Sequence, residues 1–222
     1  MIPLRDANPS RTVPIVNYTL IGLNVAVFLV EISLGRSAGA LIGALGVVPA
    51  RVSGVLSSAD FDAGVAVTFL TSMFLHGGWM HLIGNMVFLF VFGDNIEDRF
   101  GHAKYLLFYI VCGFAAAATQ VIAAPDSVVP MVGASGAIAG VLGAYVILYP
   151  RARILTLIPV FFFLQLVELP AFLFLGIWFL MQIFSGVLAL QIGADAGGVA
   201  WWAHIGGFTA GALMLPFLRR VA

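Results

Sequence analysis

Two residues on separate apolar segments, Ser135 and His204, have the chemistry to attack a carbonyl group together. A hydroxyl is a poor nucleophile until a base takes its proton, and histidine is the candidate base here. Ser135 sits in Gly133-Ala134-Ser135-Gly136-Ala137, with Pro130 upstream, which predicts a helix starting near the serine. A helix start leaves N–H groups unpaired and carries the positive dipole end, an environment that favours a developing anion. His81 and Asn85 are four residues apart and share a helix face. With the Ser135 N–H they can form an oxyanion hole. A triad would add an acid to orient the histidine, yet the only acid near this level is Glu31, toward the outer end of the first span. The expected chemistry is therefore acyl transfer by a Ser–His dyad, with the histidine oriented by packing. Singly, each residue also has a plainer reading: an interhelical hydrogen bond for Ser135 and Asn85, a polar cap for His81, and a solvated loop position for His102.

The elements that position these residues belong to a membrane protein. The 222-residue chain is 62% apolar and 9% charged, against about 45–50% and 25% for soluble domains, and its mean hydropathy is +1.09. Ten Lys+Arg balance ten Asp+Glu, so no net field recruits nucleic acid. A lone Cys112 excludes an intrachain disulfide and CxxC metal sites. Six long stretches lack Asp, Glu, Lys and Arg: 12–30, 63–93, 105–125, 127–150, 169–194 and 196–218. Each can hold a spanning helix of about 20 residues. The expected fold is an all-α polytopic membrane protein of one domain, 1–222, with six transmembrane helices at about 15–34, 79–98, 104–124, 135–149, 170–191 and 201–218, and an outer loop 35–78 lying on the membrane. The stretch 154–167, short and carrying Pro159, reads as an interfacial or re-entrant approach to the fifth helix.

Charge gives the direction. With a cytoplasmic N-terminus, the inner side holds Arg5, Arg11, Arg99, Lys104, Arg151, Arg153, Arg219 and Arg220, and the outer side only Arg36 and Arg51. This excess predicts both termini inside. Arg5, Arg11 and Ala38-Gly39-Ala40 mimic a secretory signal, but the polar lead and apolar core are longer than such signals use, so the first segment is read as a retained span. With neither long tails nor an organelle transit peptide, a bacterial cytoplasmic membrane is expected.

Depth brings the polar groups together. Ser135 lies 16 residues before Arg151, His204 15 before Arg219, and His81 13 before Asp94. At about 1.5 Å per residue these are roughly 20–24 Å above the inner boundary, one level beneath the outer surface. Gly136-x-x-x-Gly140, then Gly143, follows the serine, and Gly207-x-x-x-Gly211 follows His204. Small residues four apart let helix backbones approach, so the fourth and sixth helices are expected to touch just below the two side chains.

These residues resemble the rhomboid intramembrane serine proteases. The resemblance rests on His76-Gly77-Gly78-Trp79-Met80-His81-Leu82-Ile83-Gly84-Asn85, on Gly133-Ala134-Ser135-Gly136, and on Ala203-His204-Ile205-Gly206-Gly207 followed by Gly211. It implies a six-helix rhomboid-like bundle that cuts transmembrane segments of other proteins near the outer face, without cofactor or metal. Ser135 would be the nucleophile, His204 the base, and His81 and Asn85 oxyanion donors. His76 would help keep the recess wet, and Gly93-Asp94-Asn95-Ile96-Glu97 would be a structural element. Helix five would be a lateral gate. The expected partners are transmembrane protein substrates and the lipid bilayer. Met73, Phe74, Trp79 and Met80 are expected to anchor the outer loop in lipid.

The chain departs from the family at two places. Val65-Ala66-Val67-Thr68-Phe69 stands where members often carry a Trp-Arg pair, and Ala139 stands where some place an aromatic against the base, a role left for Phe208. The alternative function is a catalytically silent rhomboid-like protein that binds membrane clients, although such a protein should lack the nucleophile or base. A transporter would show repeats and midplane breaks, and a zinc protease would need HExxH.

Overall fold

The computed structural model describes residues 1–58, 60–160, 163–192 and 198–218, so Arg219 and Arg220 lie outside the described residues. Strand β1 is Ile2–Asp6 and helix α1 is Ile15–Ser33. The outer segment folds into α2 (Ala38–Leu45), α3 (Pro49–Ser58) and α4 (Ala63–Thr71). Helices α5 (Trp79–Phe100), α6 (His102–Ala123) and α7 (Ser135–Leu148) follow. Strands β2 (Arg153–Val160) and β3 (Phe163–Pro170) then lead into α8 (Ala171–Ile192), and α9 (Trp201–Leu218) ends the described chain.

Among the described residues, four helices are long and apolar enough to cross a membrane: α1, α5, α6 and residues 171–191 of α8. The protein is an integral membrane protein with a mostly helical bundle. Helix α7 has 14 residues. At about 1.5 Å each it reaches roughly 21 Å, well short of the ~30 Å hydrocarbon layer. All ten residues from Gly136 to Tyr145 are buried. A helix apolar and buried all round is a central one, and the short length leaves its N-terminus in a recess.

Glycines set how closely α7 is approached. A Cβ on Gly207 would land on the Gly136 carbonyl oxygen, and one on Gly211 on that of Gly140. On Gly143 it would meet the Phe208 carbonyl. Helices α7 and α9 therefore touch backbone to backbone. On the other side, a Cβ on Gly136 would come within 2.5 Å of the Ala116 Cβ of α6.

The end of the bundle where α1 begins and α5 ends is held by buried polar groups. The α1 N-cap, Pro14, makes no side-chain cap. Glu97 of α5 supplies one instead, accepting from Val16 N at 2.9 Å and Asn17 N at 2.7 Å, and it also pairs with His102. Asn17 donates to Leu89 O at 3.0 Å and accepts from the Tyr105 hydroxyl at 2.8 Å. Gly93 leaves the room for this contact. Gly101, with φ +79°, turns the chain from α5 into α6.

The fold is not all-α. In the stretch 154–167 the described residues lie in strands β2 and β3, part of a three-stranded antiparallel sheet of order β1-β2-β3. Strand β1 pairs with β2 from Ile2↔Leu157 to Asp6↔Ile154. Ile154 and Thr156 point into the protein and are fully buried. Pro159 lies beyond the β1 pairing, where β2 has a partner on one side only, so its missing N–H is tolerated. The sheet puts the N-terminal segment on the same face as the chain between α7 and α8. The Tyr145 hydroxyl donates to Asp6, and Ala7 N donates to Arg153 O at 2.9 Å.

The outer segment is anchored without the Trp-Arg pair. Asp62 caps α4, its Oδ1 accepting from Gly64 N at 2.7 Å. Val65 and Phe69 pack on a small cluster of Val47, Val52, Ala117 and Val121. Phe69 meets Phe114 edge-on at 6.0 Å. Met73 is not in lipid: it is 3% exposed and fills the space beside Gly113. Trp79 and Met80 are 57% and 82% exposed and do face outward.

Two predictions follow from this packing. Gly207→Ala should lower stability by about 1–3 kcal/mol, the usual cost of overpacking. Gly176→Ala, where no atom lies within 4 Å of a new Cβ, should change stability by no more than ~1 kcal/mol. Thermal unfolding of both variants in detergent checks the contrast, and equal behaviour would refute backbone contact between α7 and α9. The second concerns Asp6, whose carboxyl is pushed up from 3.8 to about 6, chiefly by burial. A carboxyl with a raised folded-state pKa contributes stability below its unfolded value, and that contribution is lost as pH rises through about 6. The melting temperature of Asp6→Asn relative to the unmodified chain should therefore rise between pH 4 and pH 7, and parallel curves would contradict this.

Candidate active site

The polar residues at the N-terminal ends of α5, α7 and α9 converge on one cavity. Ser135 is the first residue of α7, His81 the third of α5 and His204 the fourth of α9. The cavity, of about 1070 Å³, is lined by Ser135, His204, His81, Asn85, Gly133 and Trp178 among others.

The central contact joins His204 Nε2 to Ser135 Oγ at 2.8 Å. Gly136, Gly140, Gly207 and Gly211 lie in the turns just below it, where the two backbones meet. The other ring nitrogen, His204 Nδ1, lies 2.8 Å from Gln182 Oε1 on α8. The histidine is thus oriented by a hydrogen bond as well as by packing, which corrects the expectation from sequence. Trp178 lies against its ring at 5.9 Å and 37°, and Trp201 meets it edge-on at 6.3 Å. Phe208 does not touch the histidine ring in this way. It stacks on Phe179 at 4.3 Å and on Trp178 at 6.2 Å, supporting the tryptophan. Gln120 of α6 steadies the start of α9, its Oε1 accepting from Ala203 N at 3.3 Å.

Gln182 and Gln120 were not singled out from sequence, where attention fell on acids. The signal was present: each is an amide inside an uncharged stretch, and polar groups inside spans are costly enough to be candidates.

His81, Asn85 and His76 form a chain on the opposite wall. Gly77 N donates to His81 Nδ1 at 3.4 Å, which leaves the Nε2 proton of His81 for the cavity. That nitrogen faces Gly133, where a Cβ would come within 2.6 Å of it. Asn85 Nδ2 lies 3.0 Å from His76 Nε2. An amide nitrogen has two protons, so one is left for the cavity. His76 itself is 2% exposed and stands behind Asn85, reaching the cavity only through it. Burial, and then the neighbouring His81, holds His76 down at about 4, so its ring is neutral and can accept from Asn85. Glu31 does not approach His204. Its carboxylate accepts from the His76 backbone N–H at 3.2 Å.

The loop before α7 is fixed from both sides. Val47 and Met131 exchange backbone hydrogen bonds of 2.7 and 3.1 Å, and Gly133 N donates to Ser72 O at 2.8 Å. Gly133 has φ +122°, a conformation natural to glycine. It lets the chain enter α7 with the serine at the first helical position, where first-turn N–H groups are available to an anion.

Comparison with known proteins points to one family. A model of the Rhomboid domain matches residues 63–221. The rhomboid protease GluP of Bacillus subtilis (strain 168) is 31% identical over 145 residues, 64% of this chain and 26% of that protein. RHOMBOID-like protein 12, mitochondrial, of Arabidopsis thaliana is 30% identical over 183 residues, 75% of this chain and 50% of that protein. RHOMBOID-like protein 6, mitochondrial, of Arabidopsis thaliana is 37% identical over 75 residues, 34% of this chain and 24% of that protein. The chain thus spans about a quarter to a half of the length of these relatives.

Gly133→Ala should disturb the wall opposite the serine, because the new Cβ displaces the His81 ring. The expected result is a fall of roughly a hundredfold in the rate at which Ser135 reacts with a fluorophosphonate, the scale of losing one oxyanion donor. An unchanged rate would mean that His81 does not face the reacting oxygen.

Proposed function

The chain belongs to the rhomboid family, and we propose that it is an intramembrane serine endopeptidase that cuts transmembrane segments of other membrane proteins near the outer face. The observation that carries this reading is the 2.8 Å contact between His204 Nε2 and Ser135 Oγ at the wall of a recess. Family membership alone would also fit a silent protein that binds membrane clients, but such a protein has no use for a base seated on a hydroxyl.

The working arrangement is six spans, α1, α5, α6, α7, α8 and α9, in a single membrane domain covering 1–222. Both termini are cytoplasmic, in a bacterial cytoplasmic membrane. The eight-to-two excess of inner over outer basic residues supports this direction, and the pairing of β1 with β2 fits a topology with the N-terminus and the chain between α7 and α8 on the same side. The short α7 keeps Ser135 below the outer surface, where a recess rather than bulk solvent supplies the water.

Catalysis runs in two steps. His204 Nε2 takes the Ser135 proton as Oγ attacks the scissile carbonyl. The tetrahedral oxyanion is met by the Ser135 N–H, His81 Nε2–H and Asn85 Nδ2–H, donors already aimed at the cavity. His204 returns the proton to the leaving amine, and the acyl-enzyme forms. Water, deprotonated by the same histidine, then hydrolyses the ester and frees Ser135. His76 acts through Asn85, holding its amide and keeping the recess polar. A transmembrane helix shields its own carbonyls, so the substrate must be extended at the cut. The loop 127–132, which lines the cavity, offers it a backbone to lie along.

Labelling with a fluorophosphonate and cleavage of a reconstituted single-span substrate test this reading. The unmodified chain should carry the adduct on Ser135 and cleave. Ser135→Ala and His204→Ala should lose both activities by at least about a thousandfold while remaining folded. A folded protein that neither labels nor cleaves would favour the client-binding reading.

A further inference from the structure

The proton on His204 is placed by a residue that no acid replaces. Gln182 is buried, at 5% exposed. Its Nε2 donates to the Trp178 carbonyl oxygen, one turn earlier on α8, at 3.1 Å. A carbonyl oxygen only accepts, so the amide nitrogen must face it, and the amide oxygen must point the other way. That oxygen lies 2.8 Å from His204 Nδ1. An amide oxygen also only accepts, so Nδ1 must carry the proton. A neutral imidazole has one N–H, which leaves a lone pair on Nε2, 2.8 Å from the Ser135 hydroxyl.

From this chain of contacts we infer that Gln182 is the positioning residue of the site: it selects the His204 tautomer that can act as a base, and the Trp178 carbonyl sets its orientation. The inference rests on the protease reading for its kinetic consequences, but not for the tautomer itself. Gln182 does not touch the substrate. Its oxygen accepts from Nδ1–H both before and after the ring takes the serine proton, and the bond strengthens when the ring becomes a cation. A carboxylate would hold the same tautomer, at the cost of a second charge in a site with little water to solvate it. The neutral amide avoids that cost. It also gives the imidazolium less help than an anion would, so exchanging the two should move the pKa of the base.

The test uses the full chain in detergent, with 15N-labelled histidine and three readouts: the His204 tautomer from its nitrogen shifts, the pH profile of kcat on a single-span substrate, and thermal stability. The unmodified chain should show Nδ1 protonated. Gln182→Leu should populate the other tautomer and lower kcat by about ten- to hundredfold, the scale of a hydrogen bond to a charged group, with KM within about twofold. Gln182→Glu should restore the Nδ1–H tautomer and much of the kcat, and its acidic limb should move to higher pH because the carboxylate favours the imidazolium. Retention of the tautomer and of kcat in Gln182→Leu would overturn the proposal. So would a loss of kcat that merely tracks lost stability in both variants, with the pH limb unmoved. If the unmodified chain neither labels nor cleaves, the protease reading fails, while the tautomer of the resting protein still decides the role of Gln182.

Discussion

The site depends on two helices that meet with nothing between them. Helices α7 and α9 touch at Gly136, Gly140, Gly207 and Gly211, where a Cβ on either of the last two would fall on a carbonyl of the facing helix. Lipid offers no hydrophobic drive to pull helices together, so close packing must supply the association. The same closeness fixes the register of one helix on the other. Ser135 stands one residue before Gly136-x-x-x-Gly140 and His204 three before Gly207-x-x-x-Gly211, both just above this contact. Their separation is therefore inherited from the glycine contact rather than set by the two side chains.

A second constraint concerns the other end of the bundle. Helix α1 has no capping side chain of its own, and its first N–H groups would be orphaned inside apolar surroundings. Glu97 of α5 accepts two of them, and Asn17 joins α1 to both α5 and α6. The end of the bundle where α1 begins is thus tied by buried polar contacts, while the opposite end opens into the cavity. At that opposite end His81 and Asn85 keep N–H groups free to face the cavity.

Legibility in the sequence followed the range of the interaction. The serine, its histidine and the glycine rows were visible because polarity inside apolar stretches and a four-residue spacing are local signals. The pairing of β2 with β3 was not, since the third strand of their sheet lies about 150 residues away at the N-terminus and no local pattern announces such a partner. The residues between Arg153 and Glu168 also carry no charge, so they read as a membrane approach. Met73 was misplaced for a related reason: its burial depends on the missing side chain of Gly113, on another helix. Gln182 is the instructive case. It sits in an uncharged stretch as conspicuously as Ser135 does, but the group that orients a histidine base is ordinarily an acid. An amide that is locked by a backbone carbonyl answers the same need without charge.

That answer links the base to a peripheral helix. Only 28% of the apolar window of α8 is buried inside the protein, against 50% for α5, and Leu180 and Phe184 are 65% and 72% exposed. Yet α8 carries Gln182, and it carries Trp178 and Phe179, which stack on Phe208 of α9. A shift of α8 away from the bundle must break the Gln182–His204 hydrogen bond and part these rings together. Its cost falls on the orientation of His204 and not on the Ser135 position, because α7 is held by α6 and α9 through their glycine contacts. Ser135 is thus built into the centre of the molecule, while the orientation of His204 is set from the edge, by α8.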